Sequence, residues 1–274
     1  MSIHKTAIIA DGARVHPDAE IGPYAVIGPE VEIGALTKIG AHAVIDGVTT
    51  IGENCRIYAG ASIGLEPQDL RYKDEKTGVK IGNGVTVREY VTIHRATGEG
   101  FTLIGDDCFL MNYGHVAHNC QLGKGVIMAN STCLAGHTII GDFAVLSGYC
   151  ITHQWVRIGR FAMIGGMTGT RVDLPPFTIC DGRPAAVRGI NVVGLRRHKV
   201  PANVRAAIKQ AYKLIYRSGL NVSQAVLRIQ EELEPFAEVK EICQFFQASK
   251  RGVAAAFSSA DEGSVMEEVP VEVF

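Results

Sequence analysis

An aliphatic side chain returns every six positions along most of this chain: Ile3, Ile9, Val15, Ile21, Ile27, Ile33, Ile39, Ile45, Ile51, Ile57 and Ile63. After a break the series resumes at Ile81, Val87 and Ile93. After a second break it runs from Ile104 through Leu110, Val116, Leu122, Met128, Leu134, Ile140 and Leu146 to Thr152, Ile158 and Ile164. A helix needs apolar spacing near 3.6 and a half-buried strand near 2, so a sustained period of six is neither. It is the signature of a parallel β-helix, in which each hexad is one short strand plus a turn and three hexads close a triangular coil of about 18 residues. Gly often follows the aliphatic position, as in Ile21-Gly22, Ile33-Gly34 and Leu122-Gly123. Four residues after it the side chain is small, as at Ala19, Ala25, Ala43, Cys55, Cys108, Cys120 and Cys150. Gly and the small residue are expected to let the backbone turn each corner. The four cysteines at the small position are expected to pack rather than react.

Taking every third hexad collects the residues stacked on one face. The hexads that begin at Ile63, Ile93, Val116, Leu134 and Thr152 share a face. Both interruptions, about 68–80 and about 99–103, leave the rod from it. Register sets Arg95 one coil below His118, Gly136 one coil above it and His137 over Asn119. Neighbouring coils are about 4.8 Å apart, so His94, His118, His137 and His153 span about 15 Å of one face.

The hexads fade through Asp173-Leu174-Pro175-Pro176. From about Pro201 the spacing of Val204, Ile208, Ala211, Leu214 and Ile215 is helical, and Arg217-Ser218-Gly219 supplies a stop. Asn221 or Ser223 can cap a second helix that Pro235 ends, and a third covers about 237–249. The expected organisation is therefore a β-helix over 1–190, a helical domain over 191–252 and a disordered tail over 253–274. Arg183, Arg188, Arg196, Arg197, Lys199, Arg205, Lys209, Lys213 and Arg217 concentrate before and within the helical part. They form either solvated faces or a docking surface for an acidic or phosphate-bearing partner.

The formal net charge of -1 over 274 residues argues against nucleic acid as the main partner. No apolar run approaches the roughly 18 residues that span a bilayer, so no stable membrane insertion is expected. The first residues lack the apolar core of a secretory signal, and seven cysteines without paired short spacings give no disulfide framework. A cytoplasmic location is expected. The clustered histidines admit three roles by spacing alone. They could supply a general base, ligate zinc through His94, His118 and His137, or pair structurally across subunits.

Specific runs narrow the choice. They are Ser62-Ile63-Gly64 leading to Gln68-Asp69-Leu70-Arg71-Tyr72, Val91-Thr92-Ile93-His94-Arg95, His115-Val116-Ala117-His118, Leu134-Ala135-Gly136-His137 and His153-Gln154. Asn191 to Arg197 and Ala211-Tyr212-Lys213-Leu214-Ile215-Tyr216-Arg217-Ser218-Gly219 complete the set. Through them the chain resembles the UDP-N-acetylglucosamine O-acyltransferases of lipid A biosynthesis, up to about Gly252. The related N-acyltransferases carry an extra N-terminal domain, for which hexads beginning at Ile3 are expected to leave no room.

The resemblance implies a mainly β fold, a left-handed parallel β-helix of hexapeptide repeats followed by the C-terminal α-helical domain, assembled as a homotrimer. It implies transfer of a 3-hydroxyacyl chain from acyl carrier protein to the 3-hydroxyl of UDP-N-acetylglucosamine, with neither metal nor further cofactor. It gives His118 as general base and the Gly136 N–H as oxyanion donor. Asp69, Arg71, His115, His137 and Gln154 become sugar-side and positioning residues, Asn191 and Arg197 nucleotide and phosphate contacts, and Gly166 the acyl-chain ruler that leaves room for a long chain. Three positions depart from the family pattern. Arg71 stands where Lys is common, His198 where a second Arg is common, and Asn119 where some members have Asp beside the base. The alternatives are a zinc enzyme of carbonic anhydrase type, N-acyl transfer to a 3-amino sugar, a non-catalytic trimeric scaffold, and an acetyltransferase using acetyl-CoA.

Overall fold

The computed structural model describes residues 2–257. Its hexads form three parallel sheets, each making one face of a triangular rod. Face one starts at Ser2–Ile3, face two at Ile8–Ile9 and face three at Arg14–Val15. Successive strands visit the faces in turn, so each strand pairs with the one three further along, as Ser62–Leu65 does with Thr92–His94 and that with His115–Val116. The rod is a left-handed β-helix, against the usual hand of parallel crossovers.

The inward aliphatics make one continuous core. Ile27, Ile45, Ile63, Ile93, Val116 and Leu134 stack with no exposed surface. Burying each contributes roughly 1.5–3 kcal/mol relative to leaving it in water. The small position is buried too, filling the acute inner corner: Ala25, Ala43, Cys55 and Cys120 are fully covered. Desolvation raises the Cys120 thiol to about 12 and those of Cys108 and Cys150 to about 11, so these thiols stay protonated and inert.

The corner is built differently from the expectation. The residue that turns the chain is the one just before the small position. It adopts left-handed φ although it is seldom Gly, as at Tyr24 (57°), Asn119 (57°), His137 (61°) and Phe161 (56°). The Gly after the aliphatic serves packing instead. A Cβ on Gly34 would lie 2.7 Å from the Gly52 backbone of the next coil, and one on Gly105 2.6 Å from Gly123.

Both interruptions lie earlier in the chain than the rhythm suggests, because the next strands begin before the inward aliphatic that marks them. Gly78–Ile81 and Phe101–Ile104 are four-residue strands paired with each other, leaving loops over 66–77 and 95–100. The hexad pattern reveals only the inward Ile81 and Ile104 and is blind to the residues added before them. Both loops leave the edge between faces two and three.

The rod ends in an antiparallel pair, Thr178–Asp181 with Ala186–Ile190. Four helices follow: α1 (Val192–Arg197), α2 (Ala202–Arg217), α3 (Val222–Glu232) and α4 (Ala237–Gln247). The short α1 has no amphipathic period and escaped the helical reading. Asn221 caps α3 in a reciprocal box with Gln224, which decides between the two expected caps. The helices share a core with Phe161 and Phe177 of the rod, and Tyr212 Oη donates to the Pro176 carbonyl at 2.6 Å.

The expected disordered tail needs correction at its start. Val253 bridges to Asp173, Ala254 is buried, and Ala256 bridges in parallel to Val187. The rest of that tail, 258–274, lies outside the described residues.

Candidate active site

The edge between faces two and three gathers His118, Asn119, Gly136, His137, Gln154 and Trp155, with both loops folding over it. His118 follows the strand His115–Val116 and is 4% exposed. Its Nδ1 lies 2.9 Å from Asn119 Oδ1. The orientation of that amide is fixed independently. Asn119 Oδ1 accepts the Thr97 N–H at 3.0 Å and Asn119 Nδ2 donates to the Glu99 carbonyl at 3.2 Å. The Thr97 N–H can only donate and the Glu99 carbonyl can only accept, so the amide oxygen faces the imidazole and Nδ1 must carry the proton. In the neutral ring the lone pair is then on Nε2, the tautomer a general base requires.

Gly136 stands directly over that nitrogen. A Cβ there would lie 2.4 Å from both Nε2 and Cε1 of His118, so only Gly leaves the space open. The Gly136 carbonyl accepts from Trp155, while its N–H has no acceptor among the described residues. A free donor beside the lone pair of a base is the geometry of an oxyanion site.

The first loop brings Asp69 to the same place, with Oδ2 3.7 Å from His118 Nε2. Arg71 grips the Asp69 carboxylate through Nε at 3.1 Å, Nη2 at 3.0 Å and its own backbone N–H at 3.0 Å. Those hydrogen bonds hold the Asp69 pKa down at about 2. Leu70, between them, is fully exposed. Arg95, expected only as the residue beneath His118, braces this loop. Its Nε donates to Tyr72 Oη at 2.9 Å and its guanidinium lies over the Tyr72 ring.

The remaining histidines divide into pairs. His94 meets His115 edge-on at 5.0 Å, and His118 meets His137 edge-on at 5.1 Å. Burial lowers the His94 pKa to about 4 and also lowers those of His115 and His137, and repulsion between the charged forms of neighbouring histidines adds to each. His115 Nδ1 is 2.7 Å from Thr92 Oγ1. No group of three or more His, Cys, Asp or Glu among the described residues is placed to hold a metal ion, so the zinc set His94, His118 and His137 does not converge. His153 and Gln154 are exposed one coil further on.

Trp155, the sole tryptophan, stacks on His137 at 3.6 Å and 7°. Register could have found it, since it stands 18 residues after His137. No sequence signal gave Thr97, Glu99 or Tyr72 a place in the site, because loop residues carry no hexad register.

Three expected site residues lie away from this edge. Gly166 sits on the edge between faces one and two. A Cβ there would meet only the Gly148 carbonyl at 3.7 Å and Ser147 at 4.0 Å. Asn191 caps α1 by accepting the Gly194 N–H at 2.9 Å, while its amide donates to the Phe161 carbonyl at 2.9 Å on the third edge. Arg197 ends α1. His198, where a second Arg was the family pattern, packs against Phe143 at 4.6 Å and Phe161 at 4.8 Å.

Comparisons with known proteins agree with this architecture. Residues 173–254 match a family described as Udp N-acetylglucosamine O-acyltransferase, domain 2, and residues 12–47 match the bacterial transferase hexapeptide family. An acyl-[acyl-carrier-protein]–UDP-N-acetylglucosamine O-acyltransferase of Burkholderia orbicola is 49% identical over 257 residues, covering 92% of this chain and 98% of its own length. A protein of the same name from Thermodesulfovibrio yellowstonii is 47% identical, with the same shares covered. Among solved structures, the UDP-N-acetylglucosamine acyltransferase of Campylobacter jejuni superposes with a TM-score of 0.88 at 37% identity, covering 93% of this chain and all of its own. That of Francisella novicida gives 0.91 at 32% identity, covering 97% and 100%.

Proposed function

This chain belongs to the UDP-N-acetylglucosamine O-acyltransferase family, and from that premise we propose that it acylates the 3-hydroxyl of UDP-N-acetylglucosamine with His118 as general base. As an enzyme of lipid A biosynthesis it takes its acyl group from acyl carrier protein, the donor named for its relatives. His118 Nε2 accepts the hydroxyl proton while the oxygen attacks the thioester carbonyl. The carbonyl oxygen gains charge against the Gly136 N–H. Collapse breaks the C–S bond, and the imidazolium returns the proton to the departing thiolate. One observation carries this reading: the Asn119 amide, fixed from both sides by the second loop, sets the tautomer of neutral His118 so that its lone pair is on Nε2, beneath a free N–H.

Asp69, held ionised by Arg71, faces the sugar side, and His115, His137 and Gln154 line the path. Gly166 and Asn191 lie at other edges of the rod and Arg197 ends α1 beside His198, which packs on the third edge, so a site containing all of them needs more than one copy. That supports a homotrimer in which neighbouring rods bring different edges together. The exposed Tyr24, Tyr90, Tyr113, Tyr149 and Met167 along the edge of Gly166 supply apolar surface for such contacts. The exposed Arg196, Lys199, Lys209 and Lys213 suit the phosphate-bearing carrier protein.

A transfer assay with acyl carrier proteins of several chain lengths tests the reaction, offering UDP-sugars with a 3-hydroxyl or a 3-amino group. Turnover on the hydroxyl sugar is expected. Turnover on the amino sugar alone would overturn it.

A further inference from the structure

The segment after α4 supplies a feature that the reaction does not use. Ser249 Oγ donates to Asp173 Oδ2 at 2.8 Å and Arg251 Nε to the Arg171 carbonyl at 2.7 Å. The backbone then pairs with the open edge of the last sheet. Val187 N–H donates to Ala255 at 2.8 Å and Phe257 N–H to Val187 at 2.9 Å. Tyr216 Oη donates to Ala254 at 2.8 Å, and the Arg188 guanidinium covers the Phe257 ring at 3.5 Å.

This strap runs parallel to Ala186–Ile190, so at Phe257 the chain points along that strand towards Ile190 and α1. α1 starts two residues after Ile190, with Arg196 and Arg197 in its last turn and Lys199 just after. Arg188, Arg196 and Lys199 form no ion pair among the described residues. The sequence beyond Phe257 carries Asp261, Glu262, Glu267, Glu268 and Glu272 and not one Lys or Arg. The match to the family model ends at residue 254, ahead of this acidic stretch.

We propose that the basic surface of Arg188, Arg196, Arg197 and Lys199 takes the chain's own acidic segment 258–274 as an internal ligand, which competes there with the phosphates of the substrate. The competition rests on the acyltransferase reading; the docking does not. Opposite charge supplies the attraction, and the strap supplies proximity. A tethered segment reaches an effective concentration of about millimolar, so even a weak contact stays populated. Salt weakens it, because the pairs are exposed.

Two measurements separate the parts. Zero-length carbodiimide coupling at low salt is expected to join carboxylates of 258–274 to Lys199, and to lose that product at 0.5 M NaCl. Coupling absent, or spread evenly over remote lysines such as Lys5 and Lys38, would overturn the docking whatever reaction the enzyme performs. An enzyme ending at Phe257 keeps the strap. It is expected to show a KM for UDP-N-acetylglucosamine about two- to tenfold lower with kcat unchanged, the difference vanishing at high salt. Full-length protein with Asp261→Asn, Glu262→Gln, Glu267→Gln, Glu268→Gln and Glu272→Gln should behave likewise. Coupling to Lys199 with unchanged KM in both variants would refute the competition.

Discussion

Gly136→Ala tests how tightly the base and the oxyanion donor are set. The new Cβ would arrive 2.4 Å from Nε2 and Cε1 of His118, whereas carbon contacts settle near 3.5 Å, so the ring must retreat by roughly 1 Å. It has little room. Asn119 holds its other nitrogen at 2.9 Å and the His137 ring stands 5.1 Å away. A displacement of about 1 Å at the reacting group costs about 100-fold, or about 2.7 kcal/mol of transition-state stabilisation. Overpacking should also cost about 1–3 kcal/mol of stability. Gly136 does not have left-handed φ, so the backbone itself adds no strain. Gly148→Ala is the control: it occupies the same hexad position on another edge, where a Cβ would meet only the Asn130 carbonyl at 3.4 Å. The assay is steady-state acyl transfer, with circular dichroism and thermal melting to confirm folding. Gly136→Ala turning over within about threefold of the wild type would refute the placement of the reacting oxygen between Gly136 and His118.

Other substitutions probe separate pieces. Asn119→Asp keeps an acceptor at His118 Nδ1 and adds a negative charge, which favours imidazolium, so the acidic limb of the pH–rate profile should move to higher pH. Asp69 does not blur that readout. Its folded pKa is depressed to about 2, so the stability its carboxylate contributes is present above about pH 4 and is lost only as the pH falls towards 2. Asn191→Ala removes the cap of α1 and leaves the Phe161 carbonyl without its donor, so chemical denaturation should show a loss of about 1–3 kcal/mol with or without substrate. Gly166→Met enters open space, so the folded enzyme should shift its preference to a shorter acyl chain; an unchanged chain-length profile would contradict its role as ruler.

The rod was legible in the sequence because a period of six admits few structures. The same register correctly set Gly136 above His118 and His137 over Asn119, since the frame holds between Val116 and Leu134. What it missed lies where the frame is broken. The loops over 66–77 and 95–100 have no repeat to fix Tyr72, Thr97 or Glu99, yet these residues hold the first loop and the Asn119 amide in place. The corner residues misled for another reason: left-handed φ is easiest for Gly, so the turn was assigned to the wrong position of the hexad. Asn191 is a third case: its cap of α1 and its bond to the Phe161 carbonyl depend on a tertiary contact that no repeat marks.

Turnover of His118→Ala, measured as kcat/KM for transfer from acyl carrier protein to UDP-N-acetylglucosamine, bears most directly on the central claim. A base that carries the proton in the transition state contributes about 10²–10⁴-fold, so a loss of that size in a folded protein is expected. Near wild-type turnover in the folded variant would contradict His118 as the base.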